Sequence, residues 1–208
     1  MLSSVGKNAL LLGTAAVLCV FAVAAVNEIT KAEIEKQQLA SKLSTLVEVV
    51  PELAGNTDIL NDCVAVMDTV LLGKDAKQKI YRYRAEGKLK AYLMETTAPD
   101  GYSGAIEVLA AISPDSEVIG VRVLSHKETP GLGDKIELRK NPWVLSFNGQ
   151  TVASADDRSF AVKKDGGQFD QFAGATITPR AVVKAVKNAA LYIQQHPELA
   201  SLPADCGA

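Results

Sequence analysis

The chain is poor in the side chains that hold metals. Two histidines, His126 and His196, and three cysteines, Cys19, Cys63 and Cys206, are scattered through 208 residues. No close Cys/His cluster exists, which excludes a zinc or iron–sulfur centre of ordinary spacing. A Walker-type phosphate loop is missing, as is a GxGxxG turn after a strand, so neither familiar nucleotide cradle is encoded. Basic charge is not in excess: 22 Lys and Arg stand against 24 Asp and Glu, and no basic stripe marks a nucleic-acid partner. No acid–base set at catalytic spacing stands out either. Ser125 beside His126 is not a nucleophile–base pair by itself, and a lone histidine is more often a structural or surface residue. The sequence therefore predicts no catalytic residue and no metal ligand.

Hydrophobic residues make up 48% of the chain, unevenly spread. Residues 9–26 form an uncharged apolar run of about 18 residues, near the lower limit for a bilayer-spanning helix. Lys7 precedes it and the next basic residue is Lys31. The positive-inside tendency then puts the N-terminus in the cytoplasm and everything after Asn27 outside. A cleaved signal peptide is the alternative, compatible with the short charged start and with Ala22-Val23-Ala24. The run is longer than a usual signal core, which favours an uncleaved anchor. Cys19 reads as an apolar membrane residue. Beyond the anchor, Cys63 and Cys206 either pair in an oxidising compartment or remain two unrelated thiols.

Three segments are expected: an anchor over 1–27, a stalk helix over 28–51 and a domain over 52–208. Leu39, Leu43, Leu46, Val47 and Val50 share a helical face, and Pro51 stops the run. Residues 63–70, 78–84 and 89–96 have strand-like content. Runs 107–112 and 118–124 flank Ser113-Pro114-Asp115-Ser116, a hairpin pattern. Residues 159–162 suggest a further strand, and Lys164-Asp165-Gly166-Gly167 a turn. Thr178 as N-cap and Pro179 at the first helical position predict a final helix to about Gln195, with Val182, Val183, Val186, Ala189, Ala190 and Ile193 buried. Strands followed by a packing helix imply an α+β domain with a mainly antiparallel sheet.

Two stretches remain that could hold a ligand. One is the turn Ala173-Gly174-Ala175-Thr176, with Asp170 upstream. Its small residues let a large group approach the backbone, and free amides at the following helix start favour an anion. A turn that only introduces a helix would look the same. The other is the loop Glu128-Thr129-Pro130-Gly131-Leu132-Gly133, which proline would stiffen into a preformed wall. Tyr102 and Trp143 could stack on a ring or simply pack.

The stretch Asp170-Gln171-Phe172-Ala173-Gly174-Ala175-Thr176 resembles the acceptor motif of covalent flavoproteins with an FMN-binding domain. That motif usually has Ser or Thr where this chain has Ala173, and often Gly where it has Gln171. In order along the chain, the anchor, Gly101-Tyr102-Ser103-Gly104-Ala105-Ile106, Ser125-His126-Lys127-Glu128-Thr129-Pro130-Gly131-Leu132-Gly133 and the acceptor turn together resemble the G subunit of Rnf (Rsx) electron transport complexes. NqrC of sodium-pumping NADH:quinone reductase is a related alternative. The resemblance implies FMN joined through its phosphate to Thr176 by a flavin transferase, with Gly174, Ala175, Asp170, Glu128, Thr129, Gly131 and Leu132 around it. It further implies a bacterial inner-membrane protein with a periplasmic domain and partner subunits carrying iron–sulfur centres and membrane flavin. Electron flow involving NADH and ferredoxin-like donors would be coupled to ion movement. A cofactor-free anchored assembly module is the reading of another class, and a free-standing flavin reductase a weaker third.

Overall fold

The computed structural model describes residues 2–55 and 58–206. One helix, α1 (Leu2–Val49), runs unbroken through the apolar segment and the stretch after it. Within it, Gly6–Lys31 is long and apolar enough to cross a membrane and none of it is buried. The chain divides into two compact units, Met1–Ser44 and Thr45–Ala208. The last turn of α1 thus belongs to the larger unit, where Leu46 and Val49 are buried. Of the expected helical face, Leu46 and Val50 are buried and Leu43 and Val47 half-buried; the Leu39 side chain lies outside the described residues.

Among its described residues, the larger unit is built on six antiparallel strands paired in chain order. They are β1 (Cys63–Val66), β2 (Gln78–Ala85), β3 (Lys88–Ala98), β4 (Ile106–Ile112), β5 (Glu117–Ser125) and β6 (Gln150–Thr151). The predicted hairpin is β4–β5, closed by Ser113 N–H and Ser116 N–H bonds to the carbonyls of Glu117 and Ser113. The first predicted strand is shorter than expected, because Asp68 turns the chain by accepting from the amides of Val70 and Leu71. The strand expected at 159–162 does not form. Only Val162 bridges to Phe169, and Lys163–Asp165 closes into a 3₁₀ turn ended by Gly166 at φ +88°.

Strand pleating sends alternate residues to opposite faces. One row, Ile80, Met94, Ala110 and Val121, follows the register from β2 to β5 and packs with Val182, Val186, Ala189, Ala190 and Ile193 of α2 (Ile177–Gln195) in a single core. The other row, Tyr81, Leu93, Ala111 and Gly120, lies on the opposite face, where Gly120 meets the end of α1. A Cβ on Gly120 would stand 3.0 Å from the Val49 carbonyl oxygen, so glycine sets how closely the helix end can dock. Arg122 completes the junction: it donates to the Glu48 carbonyl at 2.9 Å and lies 3.5 Å from the Glu48 carboxylate. A cation there caps orphan carbonyls at the negative end of the helix dipole.

Cys63 and Cys206 are joined as a disulfide, with Cα atoms 5.0 Å apart. Around it the C-terminal segment lies along β1: Asp205 N–H donates to the Cys63 carbonyl and Ala65 N–H to the Asp205 carbonyl. Arg82, nearly fully buried, pairs with Asp62 and donates to the Leu199 carbonyl at 3.0 Å.

Candidate functional site

Two tight turns face each other beside the N-terminus of α2. In the first, Thr129 to Leu132, the Leu132 amide donates to the Thr129 carbonyl at 3.1 Å, and Gly131 has φ +78°. In the second, Phe172 to Ala175, the Ala175 amide donates to the Phe172 carbonyl at 3.1 Å, and Gly174 has φ +78°. A positive φ at the third turn position, after a residue in the ordinary region, is the type II signature. It accounts for Gly131 and Gly174, and Pro130 suits the position before. The walls are close: a Cβ added to Gly174 would lie 3.6 Å from Leu132 Cδ2.

Between them opens a cavity of about 310 Å³ lined by Tyr102, Glu128, Thr129, Leu132, Gly133 and the segment Gly174-Ala175-Thr176-Ile177-Thr178. Six of the expected site residues, Thr176, Gly174, Ala175, Glu128, Thr129 and Leu132, therefore share one cavity. Gly131 shapes the turn behind it without lining it. Asp170 is exposed and points elsewhere: its carboxylate pairs with Lys163 at 2.6 Å, and its carbonyl accepts from Trp143 Nε1 at 2.7 Å. Trp143 is buried edge-to-face against Phe147 and Phe172. It is a core residue that anchors the segment leading into the Phe172–Ala175 turn and offers no stacking face to the cavity. Tyr102 is largely exposed at the rim.

The helix cap is not the residue expected. The N-cap of α2 is Thr176, with no side-chain capping bond, and Pro179 is the third helical residue. Thr178 is fully buried, and its hydroxyl donates to Glu128 Oε2. Glu128, itself buried, accepts from the Ser103 amide at 3.0 Å through Oε1. One carboxylate thus ties three segments: the 101–104 turn, the proline loop and α2. Gly133 permits this, since a Cβ there would meet Glu128 Oε2 and Thr178 Oγ1 at 2.9 Å each. Behind Glu128, its amide donates to His126 Nδ1 at 3.0 Å, and His126 Nε2 contacts Glu137 Oε1 at 2.9 Å. The hydrogen bond from His126, aided by Arg139, holds the Glu137 carboxyl below its usual range despite partial burial.

The amides of Thr176, Ile177 and Thr178 precede any intrahelical acceptor, and no described hydrogen bond uses them. They leave a partly positive patch beside the half-buried Thr176 side chain, suited to a phosphate. The glycine-lined wall and the apolar Leu132, Ile177 and Tyr102 suit a planar aromatic group. The residues present fit a flavin mononucleotide. Sequence reasoning missed the Ser103–Glu128–Thr178 tie, whose partners lie 25 and 50 residues apart, and the His126–Glu137 pair, which spans an irregular loop with no periodic spacing to reveal it. Only the glycines at 101 and 104 hinted at a tight turn near Ser103.

Residues 101–191 match the family model described as FMN-binding domain, which defines the larger unit as a flavin-binding module. Residues 1–49 match the model described as RnfG N-terminal region. Full-length relatives agree. The chain is 47% identical to the G subunit of the ion-translocating oxidoreductase complex of Shewanella piezotolerans, over 99% of its own length and 98% of the relative's. It is 48% identical to the same subunit of Erwinia tasmaniensis over 100% and 98%, and 45% identical to that of Aliivibrio fischeri over 99% of both. The chain belongs to the RnfG family, the G subunits of ion-translocating oxidoreductase complexes. Among solved structures, Shewanella oneidensis NqrC matches with a TM-score of 0.48 at 22% identity, over 63% of this chain and 68% of that one.

Proposed function

We propose that this chain is the FMN-carrying electron-relay subunit of an Rnf-type membrane complex, with the flavin joined through its phosphate to the Thr176 hydroxyl. The observation that carries the attachment is the division of labour between neighbouring threonines: Thr178 is committed to Glu128, whereas Thr176 lines the cavity with no capping bond. Bound FMN would supply reversible uptake and release of electrons. The chain's own part is to fix the acceptor turn, give its phosphate the first amides of α2 and shield one side with the proline loop. No acid–base residue is needed from the chain, because a flavin transferase would make the bond.

Residues 1–27 act as an uncleaved inner-membrane anchor in this reading, 28–51 as a stalk and 52–208 as a periplasmic domain. Lys7 before the apolar segment supports that orientation, and the Cys63–Cys206 disulfide supports an oxidising compartment. Partner subunits with iron–sulfur centres and membrane flavin would deliver and remove the electrons, coupled elsewhere in the complex to ion movement. The apolar run of this chain carries no charged residue from which to build an ion path.

Co-expression with a flavin transferase followed by a denaturing gel viewed under ultraviolet light tests the assignment. Wild type and Thr129→Ala are expected to fluoresce and Thr176→Ala to be dark. A fluorescent Thr176→Ala band would refute the attachment site. A dark wild-type band in the presence of active transferase would favour a cofactor-free assembly module.

A further inference from the structure

We propose that His126 is a positioning residue whose unprotonated Nδ1 holds the proline loop against the flavin cavity, making the cavity wall responsive to pH. The inference rests on the flavin reading above and deepens it. Glu128 N–H donates to His126 Nδ1 at 3.0 Å, so that nitrogen presents a lone pair. Nε2 then carries the ring proton and donates it to Glu137 Oε1 at 2.9 Å. Both ring nitrogens are engaged, and the tautomer is dictated by the fold.

A second proton can enter only at Nδ1, where it would confront the Glu128 amide with another donor. The amide would then have to turn away. Glu128 is the residue whose carboxylate ties the Ser103 turn and Thr178 to the proline loop, so the displacement is delivered to the wall facing Thr176. Access exists from the far side. His126 is 12% exposed and, with Glu137, Arg122, Ser125 and Arg139, lines a separate cavity of about 620 Å³.

The groups facing the ring are mixed. Glu137 and Asp134 interact with it through charge, Glu48, Arg122 and Arg139 line the same cavity, Lys127 and Glu128 follow it in the chain, and Lys140 is engaged by Asp134. Asp134 is paired with Lys140 at 3.2 Å and Glu137 with Arg139 at 2.9 Å. The Glu128 amide and an incoming proton therefore compete for one lone pair, on a side-chain type that ordinarily changes charge near neutral pH.

Two measurements on the full chain in detergent test this. The chain has only two histidines, so ¹⁵N-histidine labelling yields two spectra, assigned with His126→Asn. At pH 8 His126 is expected as the Nε2–H tautomer; an Nδ1–H tautomer, or the averaged pattern of a free ring, overturns the proposal. In the flavin-loaded protein, flavin fluorescence anisotropy is expected to fall on acidification with the midpoint of the His126 titration. His126→Asn, whose amide oxygen can accept from Glu128 without titrating, should hold the high-pH value throughout. His126→Leu should be low at every pH. Superimposable wild-type and His126→Asn profiles would also overturn it. A wild type that carries no flavin would instead refute the function above, while the tautomer measurement still decides the role of His126.

Discussion

Gly133 is where a single hydrogen atom in place of a methyl matters most. Its φ is ordinary, so nothing about backbone strain demands glycine; the demand comes from Glu128 and Thr178 closing over it. Gly133→Ala is expected to push these two apart and lower stability by about 1–3 kcal/mol, the usual cost of overpacking. Thermal unfolding of the purified protein measures it, and an unchanged melting temperature would mean that the three-way tie is slack. Gly174→Ala is a different experiment: the added methyl would sit at ordinary contact distance from Leu132, and the penalty comes from φ +78°, about 1 kcal/mol or somewhat more. Gly174 was legible in the sequence as a small-residue turn. The role of Thr178 was not. A Thr-Pro pair before an amphipathic run reads as a cap on local grounds, and only the arrival of Glu128, fifty residues away, gives the hydroxyl a better acceptor.

At the scale of elements, the loop preceding the Phe172–Ala175 turn is held by ion pairs. Asp165 receives both arms of Arg180, at 2.6 and 2.8 Å, and this hydrogen-bonded pairing holds its carboxyl below the usual range. The Glu137 carboxyl is lowered too, chiefly by His126. A carboxyl whose folded pKa is depressed adds stability above its unfolded pKa, about 4, and loses that contribution as pH falls through the folded value. Melting temperature is therefore expected to drop more steeply below about pH 4 in wild type than in Arg180→Gln. Parallel curves would show that the exposed Arg180 pair is screened out by solvent. The β4–β5 hairpin and the final helix were readable because their signals are local: alternation about a Pro-Asp turn in one, and a continuous apolar stripe in the other. The absent strand at 159–162 shows the limit of such signals. Phe160 and Val162 are buried as a strand would bury them, but their partners are the aromatic rings Phe147 and Phe169 rather than another strand.

For the whole molecule, the disulfide fixes the end of the chain to the first strand of the sheet across a separation of 143 residues. Closing a loop that long restricts the unfolded chain by about 5 kcal/mol in the entropic account, with measured bridges commonly giving about 2–4. Cys206→Ser, compared with wild type in denaturant, is expected to lose stability in that range and to free the tail for proteolysis. Equal unfolding midpoints would show that Arg82 and the strand-like contacts at Asp205 suffice. The sequence left this pairing open, because two cysteines among 208 residues state no geometry; it took the alignment of the tail along β1 to bring them together.

Trp143 is the sole tryptophan, and its indole is hydrogen-bonded to the Asp170 carbonyl and packed on Phe172. The molecule therefore contains its own optical gauge. Every photon of indole emission originates beside the turn that would bear the flavin, whose absorption overlaps that emission. Quenching of a single, native fluorophore would report cofactor loading in real time, without a label and without touching any residue of the cavity.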